Sequence, residues 1–352
     1  MDSDIRFSII FPSYNEEDHL EQGIEAVLHQ SYGNFELIII DDGSQDKTGQ
    51  IGEHYSSLHK DVRLIRHAKN MGRSFTRNEG LREASGDYIL FLDPDDTMEP
   101  DLLKRVNEAL RHEHYDVVSF SYTEQFLTSK GQLILQMPHP MPSRRITEDQ
   151  MLYEAVREME LGGFIGHVWD KAYRLDFLRQ AKIQFPHEIQ IEGALFDIEV
   201  MKHKPSMITI PDELYHCRNF TDGNRIGKFL PNYLPLHRRV IEEVYQLWLD
   251  WGLRDELSLE VLSYRYMRVL SSACLRLLRH GVNAEEAAAL MERETKEEIY
   301  LALAPHFYPL RKENKRILIA LASGRMNKAV KRITRLMLLE KLAPEVALKI
   351  LY

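Results

Sequence analysis

Three short polar clusters hold the residue types from which chemistry can be built. Asp93-Pro94-Asp95-Asp96 crowds three carboxylates into four positions. Carboxylates this close repel unless a cation or open water screens them. Oxygen donors with no thiol beside them suit a hard ion, Mg2+ or Mn2+, whose coordination is usually completed by substrate phosphates. Asp41-Asp42-Gly43-Ser44 and Pro12-Ser13-Tyr14-Asn15-Glu16-Glu17 are the other two clusters. Any one of them reads as a turn followed by a helix cap. Three on one edge of a sheet read as a site.

The elements around them supply that edge. Phe7 to Phe11, Glu36 to Ile40, Val62 to Arg66, Tyr88 to Leu92 and Val117 to Tyr122 are apolar, β-rich runs. Between them, Glu16 to Gln30, Ser74 to Ala84 and Pro100 to Arg111 repeat apolar residues at helical spacing, as Leu20, Ile24, Val27 and Leu28 do. This alternation predicts an α/β fold whose mostly parallel sheet is flanked by helices. Ligands of such sheets bind beyond the carboxyl ends of the strands, and all three clusters follow strand ends.

Composition removes several alternatives. A chain of 352 residues with 44% hydrophobic and 28% charged residues is long enough for two domains. Its formal charge of -9 opposes a nucleic-acid partner. Cys217 and Cys274 alone build neither a disulfide framework nor a thiolate zinc site, so the expected compartment is the reducing cytoplasm. The acidic start, Met1-Asp2-Ser3-Asp4, is unlike a signal peptide, and no apolar run is long enough to span a membrane. Gly43, Gly49 and Gly52 do not form a phosphate-cradling P-loop.

Taken in order, the strand ending in Pro12-Ser13-Tyr14-Asn15-Glu16, then Ile40-Asp41-Asp42-Gly43-Ser44, Asn70-Met71-Gly72, Arg77-Asn78 and Gly86-Asp87-Tyr88 through Asp96, resembles a family 2 glycosyltransferase of GT-A (Rossmann-like) fold. The likeness continues through His167-Val168-Trp169-Asp170-Lys171-Ala172-Tyr173-Arg174 and fades after about Arg225. It implies an inverting transfer of a sugar from a nucleotide donor, a UDP-sugar above all, to an acceptor hydroxyl of a glycan or lipid-linked polymer. By this resemblance Pro12, Tyr14 and Glu16 line the nucleotide pocket, Asp42 accepts the uracil imide, and Arg77 approaches the diphosphate. Asp93 lies near ribose and metal, Asp95 holds the Mn2+ or Mg2+ directly, and Asp96 supports the loop. Thr76, where relatives more often have Ala, is a mild departure. Trp169 is the expected acceptor platform, and His216 stands where some relatives supply a late metal or diphosphate ligand.

A larger departure concerns the proton acceptor. Relatives carry a Glu-Asp pair whose aspartate is the base, whereas this chain reads Gln190-Ile191-Glu192-Gly193-Ala194-Leu195-Phe196-Asp197. Gly193 has no side chain to take a proton, so Glu192, or Asp197 a turn further on, is the expected substitute. A disabled enzyme and a different acceptor chemistry are the other readings. So is a rival class, a silent nucleotide-sugar-binding or scaffold protein. A nucleotidyltransferase would want a basic, glycine-rich loop after the first strand, where this chain is acidic.

The expected division is a donor-binding domain over residues 1–223 and an all-helical C-terminal domain over 224–352. Tyr233 to Trp251, Glu256 to His280 and Ala284 to Leu303 are the predicted helices, punctuated by Gly252, Gly281 and Pro305. The last 48 residues hold eleven basic and three acidic side chains, which reverses the sign of the whole chain. Met326, Ala329, Val330, Ile333 and Met337 fall at helical spacing while Lys328, Lys331, Arg332 and Arg335 face elsewhere. Such a helix either packs on its own domain or a second subunit, as in a homo-oligomer, or lies on the inner face of an anionic membrane.

Overall fold

The computed structural model describes residues 4–128, 130–187, 191–220, 232–310 and 314–342. They form two compact units, one of residues 1–125 and 136–218 and one of 126–135 and 219–352. The expected boundary at 223/224 lies outside the described residues, as does Gln190.

In the first unit the chain runs β1 (Phe7–Ser13), α1 (Leu20–Leu28), β2 (Phe35–Asp41), α2 (Thr48–Leu58), β3 (Val62–Arg66), α3 (Arg73–Glu83), β4 (Tyr88–Phe91), β5 (Thr97–Met98) and α4 (Leu102–Ala109). It continues through β6 (Val117–Leu127), β7 (Leu133–His139), β8 (Arg144–Ile146), α5 (Asp149–Gly162), β9 (Lys171–Arg174), α6 (Leu175–Gln180), α7 (Glu192–Lys202) and β10 (Met207–Phe220). The strands form one sheet in the order β3-β2-β1-β4-β9-β6-β10-β5, with β7 on β6 and β8 on β10.

The predicted parallel sheet accounts for β1 to β4, where β1 pairs in parallel with β2 and β4, and β2 with β3. Every residue of β2 is buried, as a strand covered on both faces must be. Beyond β4 the sheet is mixed rather than mostly parallel. The four-residue β9 enters between β4 and β6 and runs antiparallel to both, with Leu90 opposite Ala172 and Ser119 opposite Lys171. That places the Trp169-to-Arg174 segment at the centre of the sheet.

Two local differences have physical causes. The first helix starts at Leu20 rather than Glu16, because Asn15 adopts a left-handed conformation (φ 55°) and residues 16–19 turn before the helix begins. Helix α2 lacks a predicted counterpart because two of its buried positions are glycines, Gly49 and Gly52, packed against Arg66 and Leu64. Its apolar stripe is therefore too thin to read.

The second unit holds α8 (Tyr233–Asp250), α9 (Glu256–Arg279), α10 (Ala284–Glu294), α11 (Glu298–Leu303), α12 (Lys315–Ala322) and α13 (Met326–Leu342), together with the 126–135 hairpin segment, so it is mostly rather than wholly helical. Helix α9 is its axis, burying Leu262, Tyr266, Met267, Leu270 and Cys274 and packing against each of the other five helices. The predicted helix from Ala284 to Leu303 is two helices, divided where the Thr295 hydroxyl donates to the Glu292 carbonyl. In α13, Met326, Ala329, Val330 and Ile333 are buried against α9, α10 and α12, leaving Lys328, Lys331 and Arg335 exposed. Of the two alternatives for this helix, its apolar stripe takes the first and packs on the unit's own core. Lys349 of the basic tail lies outside the described residues. No described helix is long and apolar enough to cross a membrane.

Candidate functional site

The carboxyl ends of β1, β2 and β4 lie side by side, since β1 is the common neighbour of the other two. Beyond β1, Tyr14 is 45% exposed, while Pro12 and Glu16 are half-buried. Their loop is stitched to the one after β2. Asn15 N–H donates to Ser44 Oγ (2.9 Å), its Oδ1 accepts from Gln45 N–H (2.9 Å), and Glu16 N–H donates to Thr48 Oγ1 (2.7 Å).

Asp42, expected to meet the nucleotide base, is held by the chain itself. It is buried and accepts from the backbone N–H groups of Met71 and Gly72, each at 2.8 Å, and from His67 Nδ1 at 2.7 Å. An imide donor would meet a carboxylate already holding three donors. His67 also reaches Glu79 through Nε2. Burial lowers the pKa of this imidazole, but the two carboxylates outweigh burial and the net shift is upward. Sequence reasoning missed His67, whose partners are 25 and 12 positions away.

After β4, the acidic run divides its labour. Asp96 is buried and accepts from Tyr215 Oη at 2.7 Å and Arg218 N–H at 2.8 Å. Burial, with the Asp93 charge added, pushes its carboxyl up to about 8. The same Tyr215 hydroxyl accepts from Asp93 N–H at 3.2 Å, so one phenol from β10 pins both ends of the loop. Tyr215→Phe is expected to cost about 1–3 kcal/mol, the scale of a buried polar group left unpaired, and to weaken any cation held by the loop. Urea unfolding and Mn2+ titration would check this; a variant matching the parent in both would remove Tyr215 from the account.

Arg77, expected to approach the diphosphate, is engaged by two carboxylates of the chain. It is buried on α3, over the Phe185 ring at 5.5 Å from guanidinium to centroid, and donates to Glu192 Oε1 at 2.9 Å and Asp93 Oδ1 at 3.2 Å. It therefore couples the two carboxylates and orients Asp93, whose side chain is 25% exposed. Glu192 is held by this pair at the first position of α7 and does not project as an unpaired base.

Asp197 is withdrawn altogether. It is fully buried and accepts from Lys171 Nζ (3.1 Å), Tyr173 Oη (2.8 Å) and Gly166 N–H (2.9 Å). Lys171, equally buried, donates also to Asp170 Oδ1 (2.6 Å) and to the carbonyls of Phe164 (2.8 Å) and His167 (2.6 Å). One ammonium thus gathers the loop before β9 and helix α7. The lysine was visible in the sequence as part of the resemblance, its role as a hub was not.

Trp169 and His216 are also engaged by neighbours. Trp169 is 7% exposed and stacks on both His167 (4.6 Å, 13°) and Tyr215 (4.9 Å, 17°), so its indole is packing rather than an open sugar platform. His216 Nε2 lies 2.8 Å from Glu99 Oε1, while its Nδ1 is buried with no hydrogen-bond partner. Among the described residues no group of three or more His, Cys, Asp or Glu side chains is arranged to hold an ion. At Gly193 an added Cβ would meet the Gly166 carbonyl oxygen at 3.1 Å and Val168 Cγ1 at 3.7 Å.

This rim, on this sheet, defines a class. Residues 8–161 match glycosyl transferase family 2, so the chain carries a domain of that family on a GT-A fold, and its enzyme class is glycosyltransferase. The chain is similar to the uncharacterized glycosyltransferase EpsJ of Bacillus subtilis, at 27% identity over 76% of this chain and 78% of the relative. It is also 44% identical to an uncharacterized glycosyltransferase of Haemophilus influenzae, over 33% of this chain and 46% of the relative. Among solved structures, S. aureus TarS 1-349 in complex with UDP-GlcNAc superposes with a TM-score of 0.67 at 18% identity, covering 94% of this chain and 92% of that one. The mannosyltransferase PcManGT of Pyrobaculum calidifontis, in complex with GDP-Man and Mn2+, gives 0.54 at 17% identity over 93% and 86%.

Proposed function

We propose that this chain transfers a sugar from a nucleotide donor, a UDP-sugar, to a hydroxyl of a cell-surface glycan or lipid-linked polymer, with inversion at the anomeric carbon. The observation that carries this reading is the convergence of Tyr14, Asp93 and Asp95 on adjacent strand ends of a family 2 domain. TarS, seen with UDP-GlcNAc, supports uridine; PcManGT, seen with GDP-Man, makes guanosine the alternative to test.

The loop after β4 fits a divalent cation. Asp93, which also accepts from Arg77, and Asp95 are partly exposed carboxylates at the strand end, and two carboxylates plus substrate phosphates are a sufficient set for Mg2+ or Mn2+. When bound, such an ion would offset the charge growing on the departing diphosphate. The chain's own residues do the rest. Tyr14 offers its ring to the base, Arg77 holds Asp93 in place, and the Asp42-to-Gly72 clamp fixes the loop preceding α3.

The second unit is assigned to acceptor or partner contact. The exposed Lys328, Lys331 and Arg335 suit docking on the anionic inner face of a cytoplasmic membrane, through charge alone. Gly193 favours a second reading, a protein that binds the donor without turning it over.

Release of nucleoside diphosphate from a panel of UDP- and GDP-sugars, with Mn2+ and candidate acceptors, decides between them. One donor should be consumed, and Asp95→Ala should slow that by roughly two to three orders of magnitude, the scale of losing one group that stabilises a developing anion. Tight nucleotide binding with no release from any donor would select the second reading. Release indifferent to Asp95 and to metal would overturn the proposed site.

A further inference from the structure

The imidazole of His67 ties together three elements of the rim. The residue follows β3 directly, and its N–H donates to the Asp41 carbonyl at the end of β2 (2.9 Å). Its Nδ1 lies 2.7 Å from Asp42 Oδ1, and its Nε2 meets Glu79 Oε2 on α3. The ring stands edge-on to Phe75 of the same helix, at 5.3 Å and 72°, and the side chain is 9% exposed.

A carboxylate only accepts, so an imidazole bonded to two of them must carry a proton on each nitrogen. The ring that fits this geometry is the imidazolium. Removing one proton turns one of the contacts into a lone pair facing a carboxylate, and the strut opens on that side.

Asp42 passes the effect on. Its Oδ1 takes Met71 N–H and its Oδ2 takes Gly72 N–H, each at 2.8 Å, which fixes the exposed Ala68-to-Met71 loop and the entry to α3. The same loop lies against the turn after β2, where a Cβ on Gly43 would fall 2.7 Å from Lys69 Cα. Further along α3, Arg77 donates to Asp93 Oδ1 beyond the end of β4. One imidazole therefore bears on the rim at β2, β3 and β4.

Resting on the glycosyl-transfer reading above, we propose that His67 is a positioning residue of the donor site. As an imidazolium it holds Asp42, the loop after β3 and α3 in register, so that donor affinity follows its protonation.

The charges facing the ring are Asp42 from the β2 end and Glu79 from α3. Arg82 of α3 lies 3.8 Å from Glu79 and over the Phe75 ring, while Asp41 is paired with Arg66, which also reaches Glu53 of α2. Burial lowers the imidazole pKa, the bonds and charges of the two carboxylates raise it, and the net shift is upward. The ring thus keeps its proton through the ordinary imidazole value of about 6.5 and loses it above. Donor binding should be tightest at low pH and weaken as pH climbs through the raised value.

The test measures the Kd of UDP-GlcNAc and of GDP-Man, with Mg2+, from about pH 5 to 9, and follows the His67 ring by NMR in the same samples. The parent's Kd should rise roughly tenfold or more across the His67 titration, the scale of one hydrogen bond to a charged group. His67→Gln cannot bear the charge and should bind at the weak level with a flat profile. His67→Lys keeps a cation over the whole range and should bind near the parent's low-pH level, also with a flat profile, which separates charge from the filling of space. Glu79→Gln removes one of the two carboxylate charges, so the ring's titration and the Kd profile should move down in pH together. A parent Kd that ignores the ring's titration would overturn the proposal. So would a His67→Gln profile like the parent's, which moves the dependence to another group such as Asp96. If His67→Gln does not fold, the paired shift in Glu79→Gln decides alone. Failure of the underlying reading looks different: neither nucleotide sugar binds the parent at any pH, which removes the donor site and this role with it, although the ring still titrates.

Discussion

Lys171→Met is expected to destabilise the first unit by about 3–5 kcal/mol, with a deficit that grows as pH rises. The ammonium is wholly buried and bonds two buried carboxylates and two carbonyls. Removing it leaves Asp170 and Asp197 uncompensated and frees the loop before β9. The sign of the pH effect follows from the acids. Burial already pushes Asp170 up to about 7 and raises Asp197, with the Lys171 charge pulling both back. An acid raised in the folded state favours folding at low pH, and that advantage disappears as pH climbs from its unfolded value through the raised one. Without Lys171 the rise is larger, while in the parent the ammonium, itself raised, stays charged throughout. Urea unfolding should find the smallest gap near pH 4 and the widest near about pH 8. A gap below about 1 kcal/mol, or one independent of pH, would mean that the cluster is not the hub its geometry describes.

Arg77→Met should lose about 3–5 kcal/mol as well, because Glu192 is buried and would have no counter-charge. Asp93 suffers less, being partly open to water. Replacing both ends together, as Arg77→Met with Glu192→Met, removes the uncompensated charge and should recover most of the loss, so a double-mutant cycle in urea should show a coupling of about 2–3 kcal/mol. Arg77→Lys should not rescue, since one ammonium cannot reproduce a fork that spans Glu192 and Asp93. The expectation drawn from resemblance alone, an arginine reserved for diphosphate, forecasts the opposite: stability near that of the parent and a weakened donor Kd.

The two arginine readings show where local sequence stops being informative. The β-α-β alternation and the three polar strand ends were legible because each is encoded within a few residues, through apolar period and turn chemistry. The helices of the second unit were legible for the same reason. Partners were not. Arg77 and Glu192 are 115 positions apart, and Asp42 meets Gly72 across 30. The entry of β9 into the middle of the sheet has no local signature either, since four residues, Lys171-Ala172-Tyr173-Arg174, do not announce a central antiparallel strand. That insertion brings Tyr215, His167 and Tyr122 around Trp169, and so decides that an indole expected to be open is enclosed.

The facing pair Gly166 and Gly193 has a consequence for how this sequence can change. Gly166 holds a backbone conformation (φ +114°) that side chains rarely adopt, and its carbonyl oxygen stands 3.1 Å from where a Cβ at 193 would be. An aspartate there must push against an oxygen whose own backbone cannot slide without losing its bond to Asp197. Any side chain at 193, alanine included, therefore requires that oxygen to give by a few tenths of an ångström. Positions 166 and 193 are thus coupled, and a library aimed at placing a carboxylate at 193 should vary both together.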